Sequence, residues 1–356
     1  MYTIVAMKIN NSLKKTIDNL IETKEINMNI ADMLLSTFPY EDIVTKEDIE
    51  SLMKTGKNEK EAYFAILLNY FGIPEDDIES VEIARRYIYK YLECCEPDYY
   101  LNNSYVQAIK PAQFKEDGYE LTYLKYSPYQ SLPVDEIIVE GNDYKELYKV
   151  GYFQNEFKYL ALIKNDEIWM SVNPNEINTM KPFVKKANGE VLVLGLGMGY
   201  IAYMMSLKEE VKSITIIEKD TKIIDIFKKH LYPLFINKEK IKVVHDDAIR
   251  YLENCKKYDY IFADLWHNPE DGLPLYLQIE NIKNKRGFNV DYWLDTSLKA
   301  MKRRCLLTIL QEYFLGYTEK DYKYAKDPMD QVINKLYKDI KDININNEKE
   351  LKKLID

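Results

Sequence analysis

Long apolar runs are missing from this sequence of 356 residues. No stretch approaches the roughly 18 consecutive apolar residues that a membrane-spanning helix requires. The first residues also lack the succession of basic, apolar and small residues that marks a signal peptide. We therefore expect a cytoplasmic protein that does not enter membranes.

Paired cysteines and clustered histidines are missing as well. Four cysteines occur, at Cys94, Cys95, Cys255 and Cys305. Their spacing suits neither a zinc site nor a disulfide framework, and this pattern is typical of a reducing compartment. His245 lies beside Asp246, but no further metal ligand follows at helical or hairpin spacing. The sequence thus predicts no metal site.

A net positive charge is the third absence, since the formal net charge is -9. A protein that binds duplex DNA or RNA needs a basic face to neutralise phosphates, so we expect no nucleic-acid partner. Two basic clusters, Lys185-Lys186 and Lys302-Arg303-Arg304, could form a local patch. Solvated positive charge among many acids is the simpler expectation.

The composition is that of a folded protein larger than one typical domain, since 46% of its residues are hydrophobic. Helical periodicity predicts a helical N-terminal module over residues 1–100. Strand signals broken by proline and glycine predict a small β-rich segment over 101–185. Strands alternate with helices over 186–320, and a helical tail is expected over 321–356.

Local signals refine the first half of the chain. The apolar spacing predicts separate helices over 12–21 and 30–38. Residues 159–163 and 168–172 are predicted to be two strands around a tight polar turn. Asn175 would cap the helix that leads into the α/β region, with Glu176 favoured near its N-terminus. Alternatively, Asn175 and Glu176 face a substrate.

The α/β region begins with a buried strand, Val191–Leu194, and a turn with three glycines. Four apolar residues in a row are typical of a parallel strand that is covered on both faces. Further strands are predicted over 213–217, 241–244 and 258–263, with helices between them. This alternation predicts a doubly wound, mostly parallel Rossmann-like sheet.

Polar and glycine residues follow the predicted strands at the points where ligands bind in such sheets. They are Gly195, Gly197, Gly199, Glu218, Asp246, Asp247 and Asp264. A dinucleotide fingerprint placed directly after the first strand would need glycine or alanine where the chain has Tyr200. The shifted match, Gly197 to Ala202, delays the loop by two residues and leaves a nicotinamide enzyme as a weaker alternative.

These residues form four motifs at strand ends: the glycine turn, Glu218, Asp246-Asp247-Ala248 and Asp264. Together they resemble the class I S-adenosylmethionine-dependent methyltransferases, and within them the spermidine-synthase-like branch. The resemblance covers about residues 170–280. It implies that S-adenosylmethionine is bound and that Asp264 stands near the reacting centre. The implied cofactor contacts are Gly195, Gly197, Met198 and Gly199 for the methionine portion, Glu218 for the ribose, Asp246, Asp247 and Ala248 for the adenine, and Asp264 and Trp266 near the transferred group.

Two departures from the aminopropyltransferase pattern influence the predicted reaction. Members of that group carry an acid inside the glycine turn, where this chain has Met198, and another three residues after Asp264, where it has His267. A polyamine needs carboxylates around its ammonium groups, so we predict a methyltransferase acting on a small-molecule acceptor. Aminopropyl transfer is the alternative, and a non-catalytic nucleoside-binding or interaction protein is a second one.

Three side chains are candidates for acceptor chemistry. His267 could serve as a base with help from Asp264, or only cap and pack its loop. Trp266 could wall the cofactor or the acceptor, or simply cover the sheet edge. Besides the small-molecule acceptor, a second copy of the chain is left open as a partner in a homodimer.

Overall fold

The structure is a computed structural model that describes residues 7–318, 322 and 327–356. The first six residues, where no signal peptide is expected, lie outside the described residues. The expected boundary between the α/β region and the helical tail, at residues 320 and 321, also lies outside the described residues.

The first hundred residues form mainly helices. Strand β1 (Lys8–Ile9) precedes α1 (Lys14–Leu35), α2 (Lys46–Met53), α3 (Glu59–Tyr70) and α4 (Ile78–Tyr87). Helix α2 begins as expected at Thr45, whose hydroxyl accepts a hydrogen bond from the Asp48 amide at 3.2 Å. The prediction of two separate helices over 12–21 and 30–38 is wrong, because α1 is continuous from Lys14 to Leu35. Its buried residues recur every three or four positions from Ile17 to Leu34, so a single face packs along its whole length.

The next segment is built from short strands and two short helices. Its elements are β2 (Leu92–Cys94), α5 (Pro97–Leu101), α6 (Ser104–Ala108), β3 (Phe114–Glu116), β4 (Tyr119–Tyr126), β5 (Leu132–Pro133), β6 (Ile138–Glu140), β7 (Lys145–Leu147), β8 (Val150–Tyr152), β9 (Phe157–Lys164) and β10 (Glu167–Val172). Strands β10, β9, β4 and β3 form an antiparallel sheet in that order. The expected polar turn between β9 and β10 is present, and Asn165 and Asp166 both have a positive φ there.

A five-stranded parallel sheet confirms the predicted fold class. Its strands are β11 (Gly189–Leu194), β12 (Val211–Glu218), β13 (Ile241–His245), β14 (Tyr260–Ala263) and β15 (Asp291–Tyr292). Their spatial order is β13-β12-β11-β14-β15, and every neighbouring pair is parallel. The chain moves outward from β11 to β13 and then returns to the other side of β11. This reversal creates a switch point between β11 and β14.

Helices cover both faces of this sheet. They are α7 (Pro174–Lys186), α8 (Tyr200–Ser206), α9 (Thr221–Ile226), α10 (Ala248–Asn254), α11 (Pro269–Arg286) and α12 (Asp295–Phe314). Val191 and Val193 of β11 belong to one apolar core, which includes α7, α8 and α9. Leu192 and Leu194 belong to a second core with α10, α11 and α12. The central strand is therefore buried on both sides, as its unbroken apolar sequence predicts.

The tail adds α13 (Pro328–Ile340), β16 (Asn344–Ile345) and α14 (Glu348–Ile355). Strand β16 pairs in parallel with β1, at the other end of the described chain. Of the helices in the described ranges, none has the length and apolarity that a bilayer crossing requires.

Candidate functional site

The candidate site lies at the switch point, where the loops after β11 and β14 meet. Gly195 follows β11 with a φ of +98°, a conformation that side-chain-bearing residues rarely adopt. A Cβ at Gly195 would overlap the backbone carbonyl oxygen of Asp264. The two loops are thus packed backbone against backbone, and only glycine fits between them.

The two other glycines of the turn differ in whether a side chain would fit at their position. Gly197 has a φ of +53°, and a Cβ there would meet nothing within 4 Å. Gly199 has a φ of +75° and precedes α8, and a Cβ there would press on Phe227 and Phe235. Gly197 is therefore the position where a ligand can approach the backbone closely.

Glu218 ends β12 and is fixed by two backbone amides. Its Oε2 accepts a hydrogen bond from the Leu196 amide at 3.2 Å, and its Oε1 accepts one from the Asp220 amide at 2.8 Å. The carboxylate is thereby tied to the glycine turn. Its role toward a ribose stays a prediction.

Asp264 follows β14 and is the most strongly perturbed aspartate of the site. Its amide donates to the Leu194 carbonyl at 2.8 Å, which places the residue beside the glycine turn. Desolvation, together with the nearby charge of Glu218, raises the pKa of Asp264 to about 7. Asp264 is partly exposed, and its carboxylate has no hydrogen bond or ion pair with a described residue.

Glu176 joins the same group of acids from α7. Desolvation and the charge of Asp264 raise the pKa of Glu176 well above its ordinary value. Asn173, and not Asn175 as expected, caps this helix, because its side chain accepts the Glu176 amide at 3.0 Å and Pro174 occupies the first turn. Glu176 then lies at the third helical position, and its carboxylate forms no hydrogen bond with any described residue. Asn175 is partly exposed, and its backbone carbonyl accepts from Thr179.

Two tyrosines that the sequence did not predict as site residues, Tyr105 and Tyr200, line the Glu176 side of the site. The Tyr105 hydroxyl donates to the Met198 carbonyl at 2.7 Å, which holds the middle of the glycine turn from α6. Asn103 donates to the Tyr200 hydroxyl at 3.0 Å. The charge of Glu176 contributes to the raised pKa of both tyrosines, after desolvation. Nothing local in the sequence marks Tyr105, because it reaches the site through tertiary packing.

His267 is held by Asp271 and not by Asp264. Its Nδ1 lies 2.9 Å from Asp271 Oδ2, and its amide donates to the same carboxylate. Its ring packs on Trp169 of β10 with the centroids 4.3 Å apart. The spacing of Asn268 and Asp271, an amide followed by an acid three residues later, is the sequence signal that could have revealed Asp271.

Trp266 is buried, and its indole N–H is already used. It donates to the Trp293 carbonyl at 3.2 Å, while the ring lies over Gly272 and beside Tyr292. The side chain packs between α11 and β15 in the second core. No part of this arrangement directs its polar group at the switch point.

The acidic pair after β13 is organised by Arg250 of α10. Asp246 accepts from Arg250 Nε at 2.8 Å, and this hydrogen bond lowers the pKa of Asp246. Asp247 caps α10, since its Oδ1 accepts from the Arg250 amide at 2.9 Å, and Ala248 is the first helical residue. Contacts of Asp246, Asp247 and Ala248 with an adenine stay predictions.

Metal binding has no geometric basis in the described ranges. No three histidine, cysteine, aspartate or glutamate side chains of those residues lie together in a way that could hold a metal ion. His245, the residue beside Asp246, directs its Nε2 at the Lys219 carbonyl at 3.1 Å.

Residues 173–275 match the sequence profile of the spermine/spermidine synthase domain. A polyamine aminopropyltransferase of Streptococcus uberis is 32% identical over 95 residues, which are 25% of this chain and 33% of that protein. A polyamine aminopropyltransferase of Methanocaldococcus jannaschii is 29% identical over 153 residues, 41% of this chain and 46% of that protein. The crystal structure of spermidine synthase from Thermotoga maritima overlaps 54% of this chain and 62% of that one, with 13% identity and a TM-score of 0.30.

The chain thus spans between a third and a half of the length of these two curated relatives. The matches confirm the expected likeness to the spermidine-synthase-like branch. They contradict the predicted methyltransferase, because the named relatives are aminopropyltransferases, and S-adenosylmethionine as the methyl-donating cofactor is wrong for the same reason. Met198 and His267 do remove two acids, but Glu176 and Asp264 supply carboxylates at the switch point. The matches favour the alternative, aminopropyl transfer.

Proposed function

We propose that this protein transfers an aminopropyl group from decarboxylated S-adenosylmethionine to an amine acceptor. The observation that carries the proposal is the row of carboxylates at the switch point, Glu218, Asp264 and Glu176. Two of them, Asp264 and Glu176, are desolvated and form no ion pair with a described residue. Uncompensated carboxylates of this kind favour cationic ligands, and both substrates of the proposed reaction are cations. The likeness of residues 173–275 to the synthase domain supports the same reaction.

The glycine turn and β12 would hold the donor. Gly197 leaves open space beside the backbone, and Glu218 is oriented by the Leu196 and Asp220 amides. The sulfonium of the donor supplies an electrophilic carbon. Asp264, next to the turn, places negative charge where the donor carries its positive charge.

Asp264 is suited to take a proton from the acceptor. The amine must be neutral to attack, because its lone pair forms the new carbon–nitrogen bond while the carbon–sulfur bond breaks and its electrons stay on sulfur. A carboxylate with a pKa of about 7 is half ionised near neutral pH and can accept that proton. The products are an extended amine and a neutral thioether nucleoside, so atoms and charge balance.

Glu176 would hold an ammonium group of the acceptor that does not react. It lies on the α7 side of Asp264, next to Tyr105 and Tyr200. A second ammonium at this carboxylate would align the acceptor with Asp264 and restrict its motion. An acceptor with two amino groups is therefore expected to be preferred over a monoamine.

The direct test incubates the full chain with decarboxylated S-adenosylmethionine and a series of monoamines, diamines and polyamines. Mass spectrometry follows the extended amine and the thioether nucleoside. We expect both products in equal amounts with at least one diamine or polyamine. Absence of turnover across the series, or equal turnover when S-adenosylmethionine replaces the donor, contradicts the proposal.

Glu176→Gln tests the acceptor site. Because the carboxylate would bind acceptor charge and not the reacting nitrogen, we expect the KM for the amine to rise about tenfold or more, with a smaller change in kcat. Glu22→Gln, an exposed position on α1, is the matched control and should leave both constants unchanged. A normal KM in Glu176→Gln would remove Glu176 from the acceptor site.

A further inference from the structure

Trp169 is the extra residue of a bulge in β10, the strand at the edge of the antiparallel sheet. Its neighbours Ile168 and Met170 pair with consecutive residues of β9, so Trp169 has no partner there. Consecutive side chains of a regular strand face opposite sides, but Trp169 and Met170 both pack against the core that includes α7, α8 and α9. The bulge therefore turns the indole toward the parallel sheet. Bulges often re-aim a side chain in this way beside an active site.

A first contact connects the indole to the loop after β12. The ammonium nitrogen of Lys164 lies 4.2 Å from the centroid of the Trp169 ring, which attracts the cation. The same nitrogen lies 3.6 Å from Asp220 Oδ2. The Asp220 amide in turn donates to the carboxylate of Glu218. Lys164 thus links Trp169 to the residues at the end of β12.

A second contact connects the indole to the loop after β14. The imidazole of His267 packs on it with the ring centroids 4.3 Å apart, and Asp271 holds that imidazole in place. Strands β12 and β14 lie on the two sides of β11, so their ends are two strand spacings apart, or about 9.6 Å. A side chain that is connected to both loops lies above the end of β11, where the glycine turn begins.

The glycine turn leaves room for a ligand. A Cβ at Gly197 would meet nothing within 4 Å, and Trp169 stays partly exposed despite its contacts with Lys164 and His267. Exposed aromatic surface beside such space is apolar area that a ligand can remove from water. We propose that Trp169 contacts the bound donor and covers it from the side opposite the glycine turn. This inference rests on the proposed function, which assigns the donor to this turn.

The contribution of Trp169 is apolar contact with the middle of the donor. Glu218 is expected at the ribose and Asp264 at the transferred group, and Trp169 is connected to the loops that carry both. Lys164 already supplies the cation at the ring, so the indole adds apolar area and excludes water from the reacting atoms. The neutral thioether nucleoside that the reaction releases is therefore a sufficient probe of this contact.

Calorimetric titration of the full chain with this nucleoside, 5′-methylthioadenosine, tests the contact without turnover. We expect Trp169→Ala to weaken binding about tenfold or more, because the apolar area of the ring is lost, and Trp169→Phe to recover most of the affinity. Ile168→Ala removes an exposed neighbour on the same strand and should leave the affinity unchanged. Equal affinity in Trp169→Ala and the unmodified chain overturns the proposal but leaves the donor site in place. Absence of binding to the unmodified chain overturns both.

Fluorescence of the unmodified chain provides the second measurement, which does not depend on the folding of a variant. Trp169 is one of three tryptophans. We expect the nucleoside to change the emission and to protect part of it from quenching by acrylamide. Trp169→Phe should lose both effects while it still binds the nucleoside. Emission and quenching that do not change at saturating nucleoside, or changes that persist in Trp169→Phe, overturn the proposal.

Discussion

Asp264 shows how burial couples stability to protonation at a single residue. Its carboxyl pKa rises from 3.8 to about 7 because of desolvation and the charge of Glu218. Between these two values the folded protein holds a proton that the unfolded chain has lost. The contribution of this group to stability is therefore fully present below pH 3.8 and is lost as the pH rises through about 7, above which both states are ionised and stability changes no further.

Asp264→Asn is accordingly expected to raise the Tm at pH 8 and to leave it nearly unchanged below pH 4. Turnover should fall by about 10²- to 10⁴-fold, because the proposed proton acceptor is gone. Calorimetry at both pH values and steady-state kinetics are the measurements, with the exposed Asp225→Asn as a control. A Tm gain of equal size at both pH values would contradict the shifted pKa.

Asp271 has two roles, and a pair of variants can distinguish them. It positions His267 and also completes the capping box of α11 with Asn268. Asn268→Ala removes the cap at a cost of about 1 kcal/mol but keeps the pair with His267. Asp271→Asn removes the negative charge that pairs with His267, while its amide oxygen can still accept a hydrogen bond at the cap.

If the pair serves the reaction, the pH profile of kcat changes in Asp271→Asn and His267→Ala but not in Asn268→Ala. Tm measurements on the three variants establish how much of any loss comes from the cap. The same pH profile in all three would assign Asp271 to helix capping alone.

At the scale of the element, the glycine turn contains a matched pair of positions with a positive φ. Gly195→Ala forces a Cβ onto the Asp264 backbone, so we expect a severely destabilised or unfolded chain. Gly197→Ala meets open space and should cost only about 1 kcal/mol for its left-handed backbone. Gly197→Ala should nevertheless weaken donor binding, measured by calorimetric titration with the nucleoside product. Unchanged affinity would place the donor elsewhere.

Elements with a strong local pattern could be predicted from the sequence, and those set by packing could not. The buried strand before Gly195 and the cap at Thr45 need only neighbouring residues to be recognised. The sequence pattern divides helix α1 because the buried face of its central turns carries polar residues, Lys24 and Asn27. Those polar positions are buried only because other elements supply partners, which no local pattern contains.

The same distinction applies to the candidate site. The residues after the parallel strands, Gly195, Glu218 and Asp264, are predicted together because parallel strands end at the same edge of a sheet. Glu176 was named as a candidate, but its proximity to Asp264 depends on how α7 packs. Tyr105 and Trp169 come from earlier segments and were not predicted, since only the tertiary structure brings them to this edge.

At the scale of the whole molecule, Asn27 joins the helical module to the β-rich segment. Its side chain, 3% exposed, donates to the Tyr144 carbonyl at 2.9 Å and accepts from the Glu146 amide at 3.1 Å. Asn27→Ala leaves both backbone groups buried without a partner, so we expect a loss of about 2 to 4 kcal/mol in the free energy of unfolding. Chemical denaturation measures it, with the exposed Asn19→Ala on the same helix as control. A loss no larger than that of the control would show that this junction contributes little.

The pairing of β1 with β16 influences the order in which the protein can be assembled during synthesis. Asn10 donates to the Asn346 carbonyl at 3.2 Å, across a separation of 336 positions in the sequence. On a ribosome, the partner of the first described strand emerges only after the parallel sheet and its helices have been translated. Contacts between such distant residues close late, because the entropy of the intervening loop must be overcome first. Residues 8–9 are thus left as an unpaired strand edge through most of translation.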